Sequence, residues 1–327
     1  ASLEAVFTAE VPAGLAKDHR LRSSLTATLT VRLRVSVQMG SRLVYVDGSL
    51  TNTARDHRIR ATFSAGLAAT HLVSDGAFSI EKRPISGPPT AGWAQSVTSI
   101  RPHQSWVALG DEETAICVHT DGLHEHEAIA GGDGETHDLA ITLLRSVGWL
   151  SRGDLKTRKG QAGPMIAVPD AQQLGLNRFR FAFSVLPGLG SLDPARCTSG
   201  PAYLETVTAP AAGGREGLDQ RFTLLDLAGS DFALTAMKGS IKVPGAIVVR
   251  FFNTRQTAVT QDVGVSRLFD RATRVRLDES PIEDEELEGG TMAVTAGAAE
   301  IVTIRLERAP RHRIRRAWNR DELPGVL

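Results

Sequence analysis

Strict alternation of apolar and polar residues is the feature that most constrains the fold of this chain. Thr28–Val37 and Arg178–Val185 place an apolar side chain at nearly every second position, and β-branched residues are common in them. Successive side chains of a β-strand point to opposite faces of its sheet, so this period-2 pattern predicts half-buried strands. Helical periodicity extends over three turns nowhere in the sequence. The sequence therefore predicts an all-β protein.

The longest apolar run, Leu139–Leu150, precedes a charged, glycine-punctuated segment that ends at Gly163-Pro164. Such a run is compatible with a buried strand or a short helix, and the alternating neighbours favour a strand. Glycine-rich residues 130–134 predict the turn of a hairpin that leads into this run, and Asp47-Gly48 predicts another turn. Residues 71–103 are rich in proline and glycine and predict loops.

Small residues at 205–220 predict a soft boundary between two domains, a large one at 1–215 and a smaller one at 216–327. The chain of 327 residues is long enough for both. It ends in a basic segment, 308–320, which is either a solvated extension or an arm that docks on an acidic surface.

Composition excludes several classes of function. The 37 basic and 37 acidic residues balance, which argues against a nucleic-acid partner, and no apolar window is long enough to predict a membrane span. Two cysteines, Cys117 and Cys197, cannot form a disulfide framework and are too few for a metal site by themselves. Unpaired thiols and the lack of a signal peptide predict a cytoplasmic protein, and the N-terminus reads as a boundary inside a larger protein.

Two blocks of sequence carry a specific resemblance to a known family. One runs from Leu143 through Gly148-Trp149 to Gly163-Pro164, and the other is the segment Asn52–Phe63, which contains Asp56-His57-Arg58. Both are similar to segments in the C-terminal half of bacterial α-mannosidases of glycoside hydrolase family 38. The resemblance implies a large antiparallel β-sandwich, a supersandwich of the galactose mutarotase type, followed by a smaller β-sandwich. Weaker similarity extends to Leu306.

The resemblance also implies what the parent protein does. Family 38 enzymes hydrolyse α-mannosidic bonds with retention, through an aspartate nucleophile and a divalent ion, usually zinc, both in an N-terminal catalytic domain that this chain lacks. The chain is then a non-catalytic region with no cofactor of its own, inactive alone, whose partners are that catalytic domain and an α-mannoside substrate. Assembly as a homo-oligomer stays open. The alternative is a free-standing carbohydrate-binding β-sandwich, although aromatic residues make up only 5% of the chain.

The segment Arg55–Arg60 is the main site candidate. Read as a strand, it places Asp56, Arg58 and Arg60 on one face and Arg55 and His57 on the other. Guanidinium groups suit sugar hydroxyls and carboxylates, so these five residues are predicted to line the sugar pocket or the interface with the catalytic domain; a structural ion-pair network is the plainer alternative.

No catalytic or metal-binding residue is predicted within the chain. His119, Asp121, His124 and His126 resemble a metal set, but the segment around His126 is similar to a family segment with a packed tyrosine, which favours a structural role. The acidic run Glu283–Glu288 is predicted to be a solvated loop, because it lacks the glycine and spacing of a calcium loop.

Overall fold

In a computed structural model of the chain, the structure describes residues 1–155, 157–158, 160–199, 223–227 and 229–308. The regular structure of these residues is 20 β-strands with one α-helix and two 3-10 helices, so the prediction of an all-β protein is confirmed. They divide into two compact units, 1–214 and 215–327. The predicted boundary at 205–220, and the basic segment beyond Arg308, lie outside the described residues. No helix in the described part of the chain has the length and apolar character needed to cross a bilayer.

Two antiparallel sheets make up the first unit. The eight-stranded sheet has the order β1-β2-β3-β12-β9-β8-β5-β6, and the four-stranded sheet has the order β4-β11-β10-β7. The strands are β1 (Ser2–Pro12), β2 (Thr26–Val37), β3 (Val44–Asn52), β4 (Arg58–Leu67), β5 (His71–Gly76), β6 (Ser79–Pro84), β7 (Ile100–Pro102), β8 (Trp106–Gly110), β9 (Ala115–Asp121), β10 (Glu125–Ala130), β11 (His137–Arg145) and β12 (Gly175–Leu186).

The core of the first unit lies between these two sheets. Leu50, Leu109 and Phe181 from the large sheet meet Leu139 and Ile141 from the small one, and all are buried. Complete burial of each such side chain stabilises the fold by about 1.5–3 kcal/mol. The first part of the long apolar run, up to Arg145, therefore belongs to β11, as predicted, because alternate residues of that strand face the opposite sheet; the rest of the run is not a strand.

The outer face of the large sheet is covered by a second, smaller apolar cluster. Trp106, Ala108 and Cys117 project from β8 and β9 on this face. The segment after β12 packs over them with Leu189, Leu192 and Cys197; it contains the 3-10 helix Leu189–Ser191 and helix α1 (Pro194–Ser199). Another 3-10 helix, Pro169–Gln172, precedes β12.

Strand β1 forms one edge of the large sheet and pairs with β2 along its whole length. Its side chains are largely exposed on both faces, including the apolar residues Leu3, Val6 and Phe7.

The second unit also pairs two antiparallel sheets, with orders β13-β16-β19 and β14-β15-β20-β17-β18. Phe251 and Ile304 from the larger sheet pack with Met292 and Val294 from the smaller one. The strands are β13 (Leu225–Asp226), β14 (Phe232–Gly239), β15 (Ile247–Asn253), β16 (Val259–Val265), β17 (Arg271–Val275), β18 (Pro281–Glu285), β19 (Thr291–Ala296) and β20 (Ile301–Glu307).

Three local predictions are wrong. Asp47-Gly48 is not a turn: both residues lie inside β3, where the ring of Phe179 packs against Gly48 so closely that a Cβ there would be 2.1 Å from Cε2 of Phe179. Residues 71–103 contain three strands in addition to loops. The acidic run begins in strand β18, where Glu283 and Glu285 pair with Arg274 on β17.

Candidate functional site

The segment predicted as the site lies where the chain leaves the large sheet and enters the small one. Asn52 ends β3 and Arg58 begins β4, so Arg55, Asp56 and His57 belong to the connection. The carboxamide oxygen of Asn52 accepts a hydrogen bond from the backbone N–H of Ala54 at 3.2 Å, an Asx turn that redirects the chain. Asp56 adopts a left-handed conformation, φ 56°, which aspartate tolerates better than most residues.

This conformation corrects the predicted arrangement of side chains. Because residues 55–57 are not a strand, Asp56 does not share a face with Arg58 and Arg60. The structure separates the five candidates into three settings: Arg55 is exposed, Asp56 and His57 belong to a polar corner, and Arg58 and Arg60 lie on the small sheet.

The polar corner, defined as Asn52, Asp56, His57, Ser146 and Gln172, is organised by the side chain of Gln172. Its amide oxygen accepts hydrogen bonds from the backbone N–H of Asp56 at 2.8 Å and from the hydroxyl of Ser146 at 2.7 Å. Its amide nitrogen donates to Oδ1 of Asp56 at 2.8 Å. Gln172 and Ser146 are buried, so these bonds form away from solvent and hold the Asp56 carboxylate in one orientation.

Asn52 connects the polar corner to the backbone of residues 172 and 173. Its amide nitrogen donates to the carbonyl oxygens of Gln172 and Gln173 at 3.0 and 3.1 Å. Its carbonyl oxygen accepts from Nε2 of His57 at 3.0 Å, which assigns the proton to that nitrogen. Burial, and then the positive charge of Arg22, lower the pKa of His57, so its imidazole is neutral at pH 7.

Cationic and aromatic side chains flank the corner. The guanidinium of Arg22 donates to the carbonyl oxygens of Asp56 and Pro12. The guanidinium of Arg152 lies 5.1 Å from the ring centroid of Trp149, and its charge interacts with Asp56. His19 meets the edge of the same indole at 4.9 Å. Trp149 therefore already carries an arginine and a histidine and is not a free platform for a sugar ring.

Arg58 and Arg60 take part in an ion-pair network on the small sheet. Arg58 contacts Glu125 at 3.3 Å and Glu127 at 3.4 Å, and Arg60 pairs with Glu127. Thr142 and Ser99 donate hydrogen bonds to Glu125 and Glu127, respectively. These are half-exposed pairs on neighbouring strands, the structural alternative that the sequence left open, and each contributes at most about 1 kcal/mol.

A shallow cavity of about 720 Å³ lies elsewhere, on the outer face of the large sheet. Its lining carries charges of both signs, and Asp121 pairs with Arg180 at 2.5 Å. The aromatic residue that lines it, Phe179, is itself buried in the core. A sugar-binding surface normally offers an exposed ring, so this cavity gives the carbohydrate-binding alternative little support.

The four residues that resemble a metal set are also separated. His126 is buried in β10 and its Nδ1 lies 3.1 Å from Nδ1 of His103, whereas His124 is exposed and bonds the backbone of Gln104. His119 lies on β9 beside Cys117, and Asp121 ends the same strand. The metal-ligand group that the described residues do contain is Cys117, His119 and Cys197.

Sequence reasoning identified Asp56 and His57 but missed the residues that fix them. Gln172 and Ser146 reach the corner from segments far along the chain, and nothing in their local sequence marks them. Asn52 had a recognisable signal, because an Asn at the end of a strand followed by Thr-Ala favours an Asx turn.

Comparison with known proteins identifies a family that part of this chain resembles. The profile of the glycosyl hydrolases family 38 C-terminal domain matches residues 15–171, a range that holds Arg22, both candidate blocks and most of the polar corner. The similarity is to the C-terminal domain of glycosyl hydrolase family 38, over a little under half of the chain. The recognition made from the two sequence blocks is thus confirmed.

The proteins that this chain resembles are much longer than it. A proposed mannosylglycerate hydrolase of Halalkalibacterium halodurans is 28% identical over 292 residues, which cover 88% of this chain and 29% of the relative. An α-mannosidase from Enterococcus faecalis V583 has a similar fold, with a TM-score of 0.72 and 20% identity over 94% of this chain and 34% of that one. A protein in the glycosyl hydrolase family 38 from Enterococcus faecalis also has a similar fold, with a TM-score of 0.71 and 20% identity over 94% of this chain and 35% of that one. The chain spans about a third of the length of these relatives.

Proposed function

We propose that this chain is the non-catalytic C-terminal region of an enzyme that hydrolyses α-mannosidic bonds with retention, and that it supports a catalytic domain which lies N-terminal to it. The match to the family 38 C-terminal domain carries the proposal. The lengths of the relatives support it, because about two thirds of each lies outside the region that this chain resembles.

The carboxylates near the predicted site support a non-catalytic role. Retaining hydrolysis needs two carboxyl groups about 5–5.5 Å apart, one of which must be protonated to act as the acid. Glu125 and Glu127 are the acidic pair nearest to Arg58, and both already accept hydrogen bonds from arginine and hydroxyl groups. Asp56 is bound by Gln172. Each of these three carboxyl groups is thus already engaged by neighbouring side chains.

The segment 55–60 is proposed to face the catalytic domain and to form part of the wall of the sugar pocket. Arg55 is its most suitable residue for binding, because its side chain is exposed and makes no hydrogen bond or ion pair with any other described residue. The corner beneath it is fixed by buried hydrogen bonds, so the guanidinium stands on a rigid base. A guanidinium fork suits sugar hydroxyls, and it suits a carboxylate such as that of mannosylglycerate even better.

The first experiment compares this chain with the longer protein that contains it. We expect hydrolysis of 4-nitrophenyl α-mannoside or of mannosylglycerate by the longer protein with zinc, and none by the isolated chain with or without zinc. Turnover by the isolated chain would contradict a non-catalytic role. A rise in the melting temperature of the isolated chain with mannose, without turnover in either protein, would favour the free-standing carbohydrate-binding alternative.

The second experiment tests the pocket wall by substitution in the longer protein. Arg55→Ala should lower kcat/KM by about 10-fold or more, since a hydrogen bond to a charged group contributes about 1.5–3 kcal/mol, while the melting temperature stays unchanged. The matched control is Arg178→Ala, an exposed arginine on the large sheet, which should change neither quantity. If Arg55→Ala, His57→Ala and Arg58→Ala all leave turnover intact, the segment is not part of the pocket.

A further inference from the structure

Three potential metal ligands meet on the outer face of the large sheet, away from the polar corner. Cys117 and His119 lie two residues apart on β9, so their side chains point to the same face. Helix α1 packs over that face and contributes Cys197. The sulfur atoms of the two cysteines and a ring nitrogen of His119 all lie within 4.8 Å of one another.

The spacing fits a tetrahedral metal ion. With Zn–S and Zn–N bonds of about 2.3 and 2.05 Å, two ligands on a tetrahedral zinc lie about 3.6 Å apart. Sγ of Cys117 and Nε2 of His119 are 3.6 Å apart. The sulfur of Cys197 lies within 4.8 Å of the other two ligand atoms, so it needs to move by at most on the order of 1 Å to reach a tetrahedral zinc. Two thiolates and an imidazole are the donors that zinc prefers, and three protein ligands leave one position of the tetrahedron for water.

The surroundings also suit a bound ion. Cys117 and His119 are 1% and 8% exposed; Trp106, Ala108 and Leu189 belong to the apolar cluster around Cys117, and the buried carboxylate of Asp75 is near enough to interact with both ligands. The indole nitrogen of Trp106 donates to the hydroxyl of Thr198 at 2.9 Å, which anchors the helix that carries Cys197.

We propose that Cys117, His119 and Cys197 form a zinc site that fastens helix α1 to strand β9. Binding converts two thiols to thiolates, so each Zn²⁺ releases two protons and no electron is transferred. The inference departs from the expectation that the chain holds no metal, in which the two cysteines were judged too few and His119 was weighed with Asp121, His124 and His126.

The test uses the whole chain, purified with a reductant and without chelator, and ZnCl₂ as the probe. We expect one zinc per chain by native mass spectrometry, and a faster reaction of the half-buried Cys197 thiol with a thiol reagent after a chelator is added. Cobalt(II) in place of zinc should give thiolate-to-metal charge-transfer absorption. Zinc should also raise the melting temperature.

Substitution identifies the ligands. Cys117→Ser, His119→Gln and Cys197→Ser should each weaken zinc binding on the order of 100-fold or more. Cys197→Ser is the decisive variant, because that residue is only half-buried and its loss should leave the far-UV circular dichroism of the chain unchanged. His124→Ala removes an exposed histidine on the same unit and should leave zinc affinity unchanged.

Several results would overturn the proposal. The site does not exist if zinc at micromolar concentration fails to bind the reduced chain, or if cobalt binds without a charge-transfer band. It is equally refuted if Cys117 and Cys197 form a disulfide that persists with zinc and reductant present, or if His124→Ala abolishes binding and Cys197→Ser does not.

Discussion

Replacing Gln172 by leucine tests whether the polar corner is held by the interactions described above. The substitution keeps the approximate volume of the side chain and removes three hydrogen bonds, two with Asp56 and one with Ser146. A buried hydrogen bond contributes about 0.5–1.5 kcal/mol, and Ser146 keeps its bond to the backbone carbonyl of Gln172. We therefore expect the free energy of unfolding of the first unit to fall by about 2–4 kcal/mol.

The assay is urea unfolding followed by tryptophan fluorescence and far-UV circular dichroism. Trp93, Trp106 and Trp149 lie in the first unit, so fluorescence reports mainly on that unit. The matched control is Gln95→Leu, the same chemical change at an exposed glutamine, which should alter the free energy by less than about 0.5 kcal/mol.

A loss below about 1 kcal/mol for Gln172→Leu would refute the reasoning, because the corner would then be fixed by its backbone contacts and not by the glutamine. Gln172→Glu adds a second criterion. That change places a carboxylate against Oδ1 of Asp56, 2.8 Å from the replaced nitrogen, and the two negative charges repel. Its destabilisation should therefore shrink as the pH falls from 7 to 5, whereas that of the leucine variant should not.

Three further predictions concern other parts of the chain. Gly48→Ala should destabilise the first unit by about 1–3 kcal/mol in thermal melting, because the new Cβ would be 2.1 Å from the ring of Phe179, and Phe179→Leu should restore part of the loss. Burial, followed by the charge of His103, lowers the pKa of His126 to about 3, below its ordinary 6.5, so the folded state binds this proton less readily than the unfolded state. Stability is then complete above pH 6.5 and falls as the solution is acidified, and His126→Phe should flatten the melting temperature between pH 6.5 and 4; an unchanged slope would contradict this. Burial raises the pKa of Glu279, but hydrogen bonds from the ammonium, hydroxyl and amide groups around it outweigh that effect and give a pKa of about 2. Its contribution to the second unit is present above the ordinary pKa of 4.5 and lost as the pH falls toward 2, so Glu279→Gln should remove that acid dependence, as measured by urea unfolding at pH 2–6.

The strands were predictable wherever one face of a strand is buried against the opposite sheet. Alternation found β2 and β12, and the apolar run found β11, since in each case a single burial constraint repeats along the strand. Asp47-Gly48 was misread because the local preference of Asp-Gly for turns says nothing about Phe179. That ring, from a partner strand distant in sequence, occupies the space that the glycine leaves.

Some residues of the candidate site were predictable from the sequence, but their arrangement in space was not. The resemblance drew attention to Asp56 and His57, yet their orientation depends on Gln172 and on the left-handed backbone of Asp56, neither of which a period-2 pattern describes. The arrangement of Cys117, His119 and Cys197 on the outer face of the large sheet was likewise not predictable from the sequence. Cys117 and His119 are recognisable as neighbours on one face of a strand, but Cys197 joins them only through the packing of helix α1.

The free edge of β1 has a consequence for the behaviour of the chain at high concentration. Within the described residues this strand pairs only with β2, so its other side presents unpaired backbone N–H and C=O groups beside exposed Leu3 and Phe7. Two such edges can join by the hydrogen bonds that build a sheet, without either copy unfolding. The rate at which protein is lost from solution should then rise with the square of the protein concentration. Leu3→Lys should slow this loss and leave the melting temperature unchanged.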